Sequence, residues 1–477
     1  MEAATGRDFG RVHFGRAELG DRRRTERLVK TADRIMCHPG GTLPQKLSAP
    51  ADLKALYRLV DRPEVTHEAV LATHRERTLG LMRGHAEAGG VVLAVHDTTQ
   101  LDYTTRRSLS GLGQLAKGRH RGYLAHNTLA VDAASGDVIG LANQILHKRP
   151  RVSKKETLKQ RRARADRETR LWKAGSEAVG PAPAGRAWVD VCDRGADVFE
   201  YLDHKHRQGG LYVVRSRHDR NAEVAGAAGI HKLHAHARSL PDLGTLTVRV
   251  GARPAKPVQP ARRARDAVVR VAAGAVSLQV PANRAGEHGD EPLACWVVHV
   301  REPDPPAGEA GERPLEWVLL TNVPADTFDR AAERVGWYAR RPVIEEYHKA
   351  MKTGCGIELP QVTAEARLQP VIALLSVVAV MLLGLRDAAR RPEAEAAPAA
   401  AFVPAEYVRV LSGWRWSDPG RATTAREFLL AVARLGGHLN RKADGLPGWL
   451  TIWRGWMALH HMVLGARAVT MPAERSG

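Results

Sequence analysis

The chain has 477 residues, 44% of them hydrophobic, which is too long for one ordinary core and enough for two to four compact units. Lys and Arg number 72 against 52 Asp and Glu, a net charge of +20, and that surplus favours a polyanionic partner, nucleic acid first. A membrane or secreted protein is not expected: the opening MEAATGRDFG lacks an apolar signal core, and the longest uncharged apolar run, Val371 to Leu385, is 15 residues, short of the roughly 18 to 20 that span a bilayer.

From Asp21, a natural N-cap, the spacing predicts a basic amphipathic helix with Leu28, Ala32 and Ile35 on one face. Arg22, Arg23, Arg27 and Lys30 on its other faces are candidate phosphate contacts, though a solvated helical cap would carry the same charges. Two further helices are expected from Pro50 to Val60 and from about Thr66. Gly90 to Thr99 reads as a strand carrying Asp97 near its end, and 127–132 with 137–145 as two strands joined by a turn at Ala134-Ser135-Gly136. Between Lys148 and Arg170 a strongly basic helix is predicted, either on a DNA backbone or solvated.

Ala187 to Asp193 is a second apolar strand ending in an acid. Asp190, an odd number of positions earlier, points to the opposite side from Asp193. The strand from Gly210 leads into Arg215, Arg217 and Arg220, which suit phosphates. Segments from about 222 to 323 are β-type, with Pro- and Gly-rich loops between them. Within them His231, His234 and His236 have no acid or thiol at ligand spacing, so surface histidines explain them better than a metal. The four cysteines stand singly, without disulfide or zinc spacing, and fit a reducing cytoplasm.

About 150 residues after Asp193 comes YARRPVIEEYHKAMK, Tyr338 to Lys352. Pro342 suits a first helical turn, and on a helix running through Lys352 the residues Glu345, Lys349 and Lys352 share a face at i, i+4 and i+7. A carboxylate ringed by Arg341, the two lysines and the Tyr338 hydroxyl suits a site that binds metal through the acid and phosphate through the bases. The same spacing also fits a solvated helix with ordinary ion pairs. Arg390 to Pro404 reads as an Ala/Pro/Glu linker. After it, Trp449, Trp453 and Trp456 form a helical stripe, either core or a dimer face.

Two strand-end aspartates and a helix glutamate make an oxygen-only ligand set for Mg²⁺, or Mn²⁺ in its place, and a pair of such ions suits phosphodiester chemistry. HDTT around Asp97, DRGADVFEYL from Asp193, and Tyr338-x2-Arg341-x3-Glu345-x6-Lys352 resemble the three acidic blocks of the insertion-sequence-four family of DDE transposases. The likeness extends to ALGDRRRTERL-like residues from Ala17 to Leu28, to WVLLT from Trp317 and to the closing GWLTIWRGWMAL.

The resemblance implies an α/β protein with a ribonuclease H-like core, a mixed sheet flanked by helices. The expected layout is a helical DNA-end-binding domain over 1–75, the core over 76–220 and 324–390, a β-rich insertion over 221–323 and a helical dimerisation region over 391–477. It implies two Mg²⁺ ions on Asp97, Asp193 and Glu345, phosphate contacts from Tyr338, Arg341 and Lys352, and Trp317 stacking to support a DNA hairpin. The partners implied are double-stranded DNA, both transposon end repeats and target DNA, and a second copy of the chain. A ribonuclease H-like nuclease without strand transfer, or a non-catalytic DNA-binding descendant, remain the alternatives.

Overall fold

The computed structural model describes residues 8–115, 119–150, 155–224, 228–251, 255, 261–281, 288–303, 314–401, 403–441 and 445–470. The chain begins with helices α1 (Phe9–Phe14), α2 (Arg22–Cys37), α3 (Leu43–Lys46), α4 (Pro50–Val60) and α5 (His67–Glu87). Asp21 caps α2 by accepting the Arg23 N–H, Pro50 occupies the first turn of α4, and Thr66 caps α5 by accepting the Ala69 N–H, so the expected starts are the observed ones. Helix α1 was not foreseen, because six residues carry too short a periodicity to read. The 21-residue α5 runs past residue 75 and joins the helical unit to the core.

The core sheet follows, with β1 (Val92–Asp102), β2 (Gly113–Gln114), β3 (Arg121–Asp132) and β4 (Val138–His147). Next come α6 (Leu158–Ala163), α7 (Leu171–Val179), β5 (Trp188–Cys192), α8 (Phe199–Arg207) and β6 (Leu211–Arg215). Strand β1 pairs antiparallel with β3 and parallel with β5, β5 pairs parallel with β6, and β4 lies antiparallel along the far edge of β3. The order β4-β3-β1-β5-β6 is a ribonuclease H-like mixed sheet, and each parallel neighbour is reached through a helical crossover, as parallel pairing requires. Val92 to His96 are buried without interruption, as expected of a central strand covered on both faces.

Beyond β6 lie β7 (Asn221–Val224), β8 (Ile230–Lys232), α9 (Leu233–Ser239), β9 (Asp242–Val250), β10 (Arg265–Leu278), β11 (Leu293–Arg301) and β12 (Glu316–Thr321). Strand β12 pairs antiparallel with β6, Leu319 opposite Arg215, so this excursion continues the core sheet; among the described residues the sheet has 12 strands. The chain closes with α10 (Phe328–Ala339), α11 (Val343–Lys349), α12 (Glu365–Arg390), α13 (Ala405–Trp416), α14 (Ala425–Leu435) and α15 (Trp449–Thr470).

Two expectations are corrected here, the single basic helix after Lys148 and the linker, while the apolar run and the tryptophan stripe both prove buried. The basic stretch after Lys148 is not one helix: α6 has six residues, a 3-10 turn follows at Glu168–Arg170, and residues 151–154 lie outside the described residues. The apolar run at 371–385 belongs to a 26-residue helix that is long and apolar enough to cross a bilayer, yet 82% of its most apolar window is buried inside the fold. The Ala/Pro/Glu segment is no loose tether, since Ala394, Ala399 and Val403 are buried and Pro398 bridges to Thr424. The tryptophan stripe is core: Trp449, Trp453 and Trp456 are all buried, with Trp456 stacked on Tyr407 at 5.2 Å.

Candidate active site

The parallel ladder between β1 and β5 ends at the rung His96 to Cys192. Asp97 and Asp193 are the next residues on the two strands, so equal register sets their side chains side by side on one face of the sheet where it opens. Asp193 also caps a 3-10 turn by accepting the Gly195 N–H at 2.8 Å, which fixes its carboxylate at the strand end. Asp190 points the other way, into a buried group with Lys205 at 2.9 Å and the Tyr201 hydroxyl at 2.7 Å.

Helix α11 brings the third acid. Ile344, Tyr347, His348 and Met351 are buried while Glu345 and Lys349 are exposed, the division expected of positions i, i+3, i+4 and i+7 against the rest. The α-helix ends at Lys349 rather than Lys352; Ala350–Gly354 forms a π turn that carries Lys352. Arg341 precedes α11, and its Nη2 lies 2.7 Å from Asp97 Oδ2 and 3.6 Å from Asp193 Oδ2, while its Nη1 donates to Glu345 Oε1. Three carboxylates from β1, the end of β5 and α11 thus converge on one guanidinium.

Burial lifts the Asp97 carboxyl to about 6, with Arg341 pulling against it and Asp193 and Glu345 adding to it by like-charge repulsion. Beside it His348 Nδ1 stands 3.9 Å from Asp97 Oδ2, and burial, then Lys352 and Arg341, push its imidazole down to about 3. His348 is therefore neutral at pH 7. Its Nε2 accepts from the Asn127 amide at 3.1 Å, and Gln144 donates in turn to Asn127 Oδ1 at 2.7 Å and to Ser376 Oγ at 2.9 Å. This buried chain holds α11 against β3, the strand whose Asn127 faces Asp97. Sequence reasoning missed Asn127 and His348, which no linear motif connects.

Among the described residues no three ligand side chains surround a common ion position, and Arg341 reaches all three acids. Their chemistry nonetheless fits a hard divalent cation: all donors are carboxylate oxygens, burial and the two neighbouring acids raise the carboxyl of the least exposed one, and a cation already stands among them.

Around this centre Tyr338 is buried, its ring edge-on to half-buried Trp317 at 5.0 Å. Arg215 lies against the Tyr338 hydroxyl and donates to the Glu316 carbonyl at 2.8 Å, which makes it a strut beneath the site. Arg217 and Arg194 are exposed at the same edge, Arg194 without having been singled out from the sequence; Arg220 is tied to Asp197 at 2.7 Å. Lys352 stands 3.9 Å from Glu358, and Lys349 points to solvent. His234 accepts or donates to Ser216 at 2.9 Å, a local polar contact within the sheet excursion.

At the amino end the helical unit sorts its cations. Arg24 bonds Glu64, and Arg27 and Arg34 reach Asp52, so these three hold α2 to its neighbours. Arg22, Arg23 and Lys30 are exposed, and with Arg27 they border a shallow recess on α2. Residues 7–65, which span α1 to α4, match the family model described as Transposase DNA-binding. The match supports a transposase that binds DNA and assigns that role to the helical unit bearing these cations.

Proposed function

We propose that the protein is a cut-and-paste DNA transposase of the insertion-sequence-four type, most like the transposase of transposon five. In this reading Asp97, Asp193 and Glu345 hold two Mg²⁺ ions, and the helical amino end holds the terminal repeat. The convergence of the three acids on one cationic position carries the proposal, because oxygen ligands grouped beside exposed arginines are what phosphodiester chemistry on DNA requires. When bound, the ions supply the charge that activates the attacking oxygen and steadies the departing one.

The chain's own residues do the rest. Exposed Arg194, Arg217 and Lys349 receive the DNA backbone at the site's edge, while half-buried Trp317, backed edge-on by buried Tyr338, offers an aromatic surface to an unstacked base. Water attacks the phosphorus at the transposon end and the P–O3′ bond breaks, leaving a 3′-hydroxyl. That hydroxyl attacks a phosphorus of the opposite strand, and the P–O3′ bond to the flanking DNA breaks, which closes a hairpin and frees the flanking DNA. A second hydrolysis reopens the hairpin, and the freed 3′-hydroxyl then displaces an oxygen of target DNA. Two copies of the chain act on the paired ends.

The test uses duplexes carrying the inverted repeats that flank the coding sequence. Asp97→Asn, Asp193→Asn and Glu345→Gln are each expected to lower Mg²⁺-dependent cleavage by roughly a thousandfold or more, with binding of the end unchanged in gel shifts. Full cleavage by any one of them sinks the metal-site reading. Given a pre-cut end, the wild type is expected to yield joined product; release of cut ends alone would make it a plain nuclease.

A further inference from the structure

We infer that Arg341 is a built-in counter-cation, which in the absence of DNA occupies the position between Asp97, Asp193 and Glu345 that a divalent ion must take. The inference rests on the reading of those acids as metal ligands. Its grounds are geometric. The terminal nitrogens of one guanidinium serve all three carboxylates, and Arg341 is mostly shielded from solvent, so the group lies within the cradle rather than at its rim. An ion drawn to the same oxygens meets a fixed positive charge at its own position, and the two cannot share it.

The anchorage of Arg341 is confined to its terminal nitrogens. Arg341 Nε is buried and has no hydrogen-bond partner. A structural buried ion pair ordinarily satisfies every donor, because an unmet one carries the full cost of desolvation. Here only the tips are engaged, and one of the three partners, Glu345, keeps a side chain that is 55% exposed and able to swing away. Arg341 is therefore held through its terminal nitrogens alone, in a place it can leave.

Where it goes follows from its neighbours. Exposed Arg194, beside Arg215, and exposed Lys349, one turn beyond Glu345 on α11, flank the site and call for an anion there. A DNA phosphate arriving at that edge gives the guanidinium a bidentate acceptor and draws it out of the cradle. Metal and DNA affinities are then coupled, each raising the other by the same factor. The free protein keeps its hydrolytic site disarmed until a DNA end is seated.

Mn²⁺ binding to the full-length chain, followed by the loss of the free-ion paramagnetic resonance signal, tests this without reference to activity. In the absence of DNA, Arg341→Gln is expected to bind Mn²⁺ about tenfold or more tightly than the wild type, with Arg341→Lys between them. Adding end DNA is expected to tighten binding by the wild type but not by Arg341→Gln. Folding is checked by circular dichroism, and if Arg341→Gln does not fold, Arg341→Lys carries the comparison. Binding by the folded variant that is equal to or weaker than wild type overturns the exchange. The double variant Asp97→Asn with Arg341→Gln separates the two levels: if it binds as tightly as Arg341→Gln, the ions sit elsewhere and the metal-site reading itself fails.

Discussion

The helical amino end and the carboxylate cradle handle charge in opposite ways. On α2 the exposed cations Arg22, Arg23 and Lys30 lie within nine residues of one another in sequence, each wet, with only Arg22 loosely paired to Glu26 at 4.0 Å among the described contacts. In the cradle, acids drawn from positions 97, 193 and 345 crowd a single guanidinium, and the carboxyl of Asp97, the most buried of them, is raised by burial and by its two acidic neighbours. Exposed charges add and are screened by salt; buried charges couple and are lost together. A surface that grips many phosphates can be built from the first kind, while a site that acts on one phosphorus needs the second.

The contrast is open to direct attack. Replacing Arg22, Arg23 and Lys30 together by Ala is expected to weaken binding of the DNA end by roughly a hundredfold and to lower the slope of log K against log salt by about 3, one per phosphate contact. Single replacements should divide that loss evenly. Fluorescence anisotropy over a salt series measures both, and a loss concentrated in one residue would mean that α2 reads bases rather than backbone.

A smaller effect lies beneath the helical unit. His13 Nδ1 faces His74 Nδ1 at 2.8 Å, and burial, with Arg77 adding to it, holds His13 down to about 4 and His74 also well below its ordinary value. The folded state thus binds these protons more weakly than the unfolded one, so stability is fully present above about pH 6.5 and is lost as pH falls toward 4. At pH 5 His13 alone should have cost about 2 kcal/mol. Urea denaturation of the wild type and of His13→Gln at pH 7 and pH 5 reads this; an equal pH response in both would remove His13 from the account.

The smallest expected change is at Trp317. If its ring lends a stacking surface, Trp317→Ala should lower hairpin formation by about 1 kcal/mol, several-fold in rate, with first-strand nicking nearly unchanged. Equal losses in both steps would return Trp317 to the role of packing partner for Tyr338.

Local signals were legible and long-range ones only partly so. The caps Asp21 and Thr66, the proline at 50 and the apolar strand runs fixed their elements because a few adjacent residues decide each one. Asp97 and Asp193 could be named because both end apolar runs, and Glu345 because of its spacing to Tyr338, Arg341 and Lys352. That Arg341 would lie among all three acids was not readable, since their meeting depends on the β1 to β5 register and on the α11 docking together. Asn127, Gln144 and Ser376 were invisible for the same reason: each is an ordinary polar residue until folding buries it beside the others. The basic run after Lys148 misled because charge periodicity alone does not keep a helix intact without an apolar face to bury.

Helix α12 has a consequence for how the protein is made. Its apolar surface is covered in part by α14 and α15, which leave the ribosome only after a further 35 to 80 residues have been added. Until then the side of this segment that faces α14 and α15, with the oiliness of a membrane anchor, stays uncovered on the nascent chain while α5 and β4 cover the rest. Truncation before 425 would prolong that exposure indefinitely, so shortened forms of this protein should be captured by chaperones or by a lipid surface rather than accumulate as free subunits.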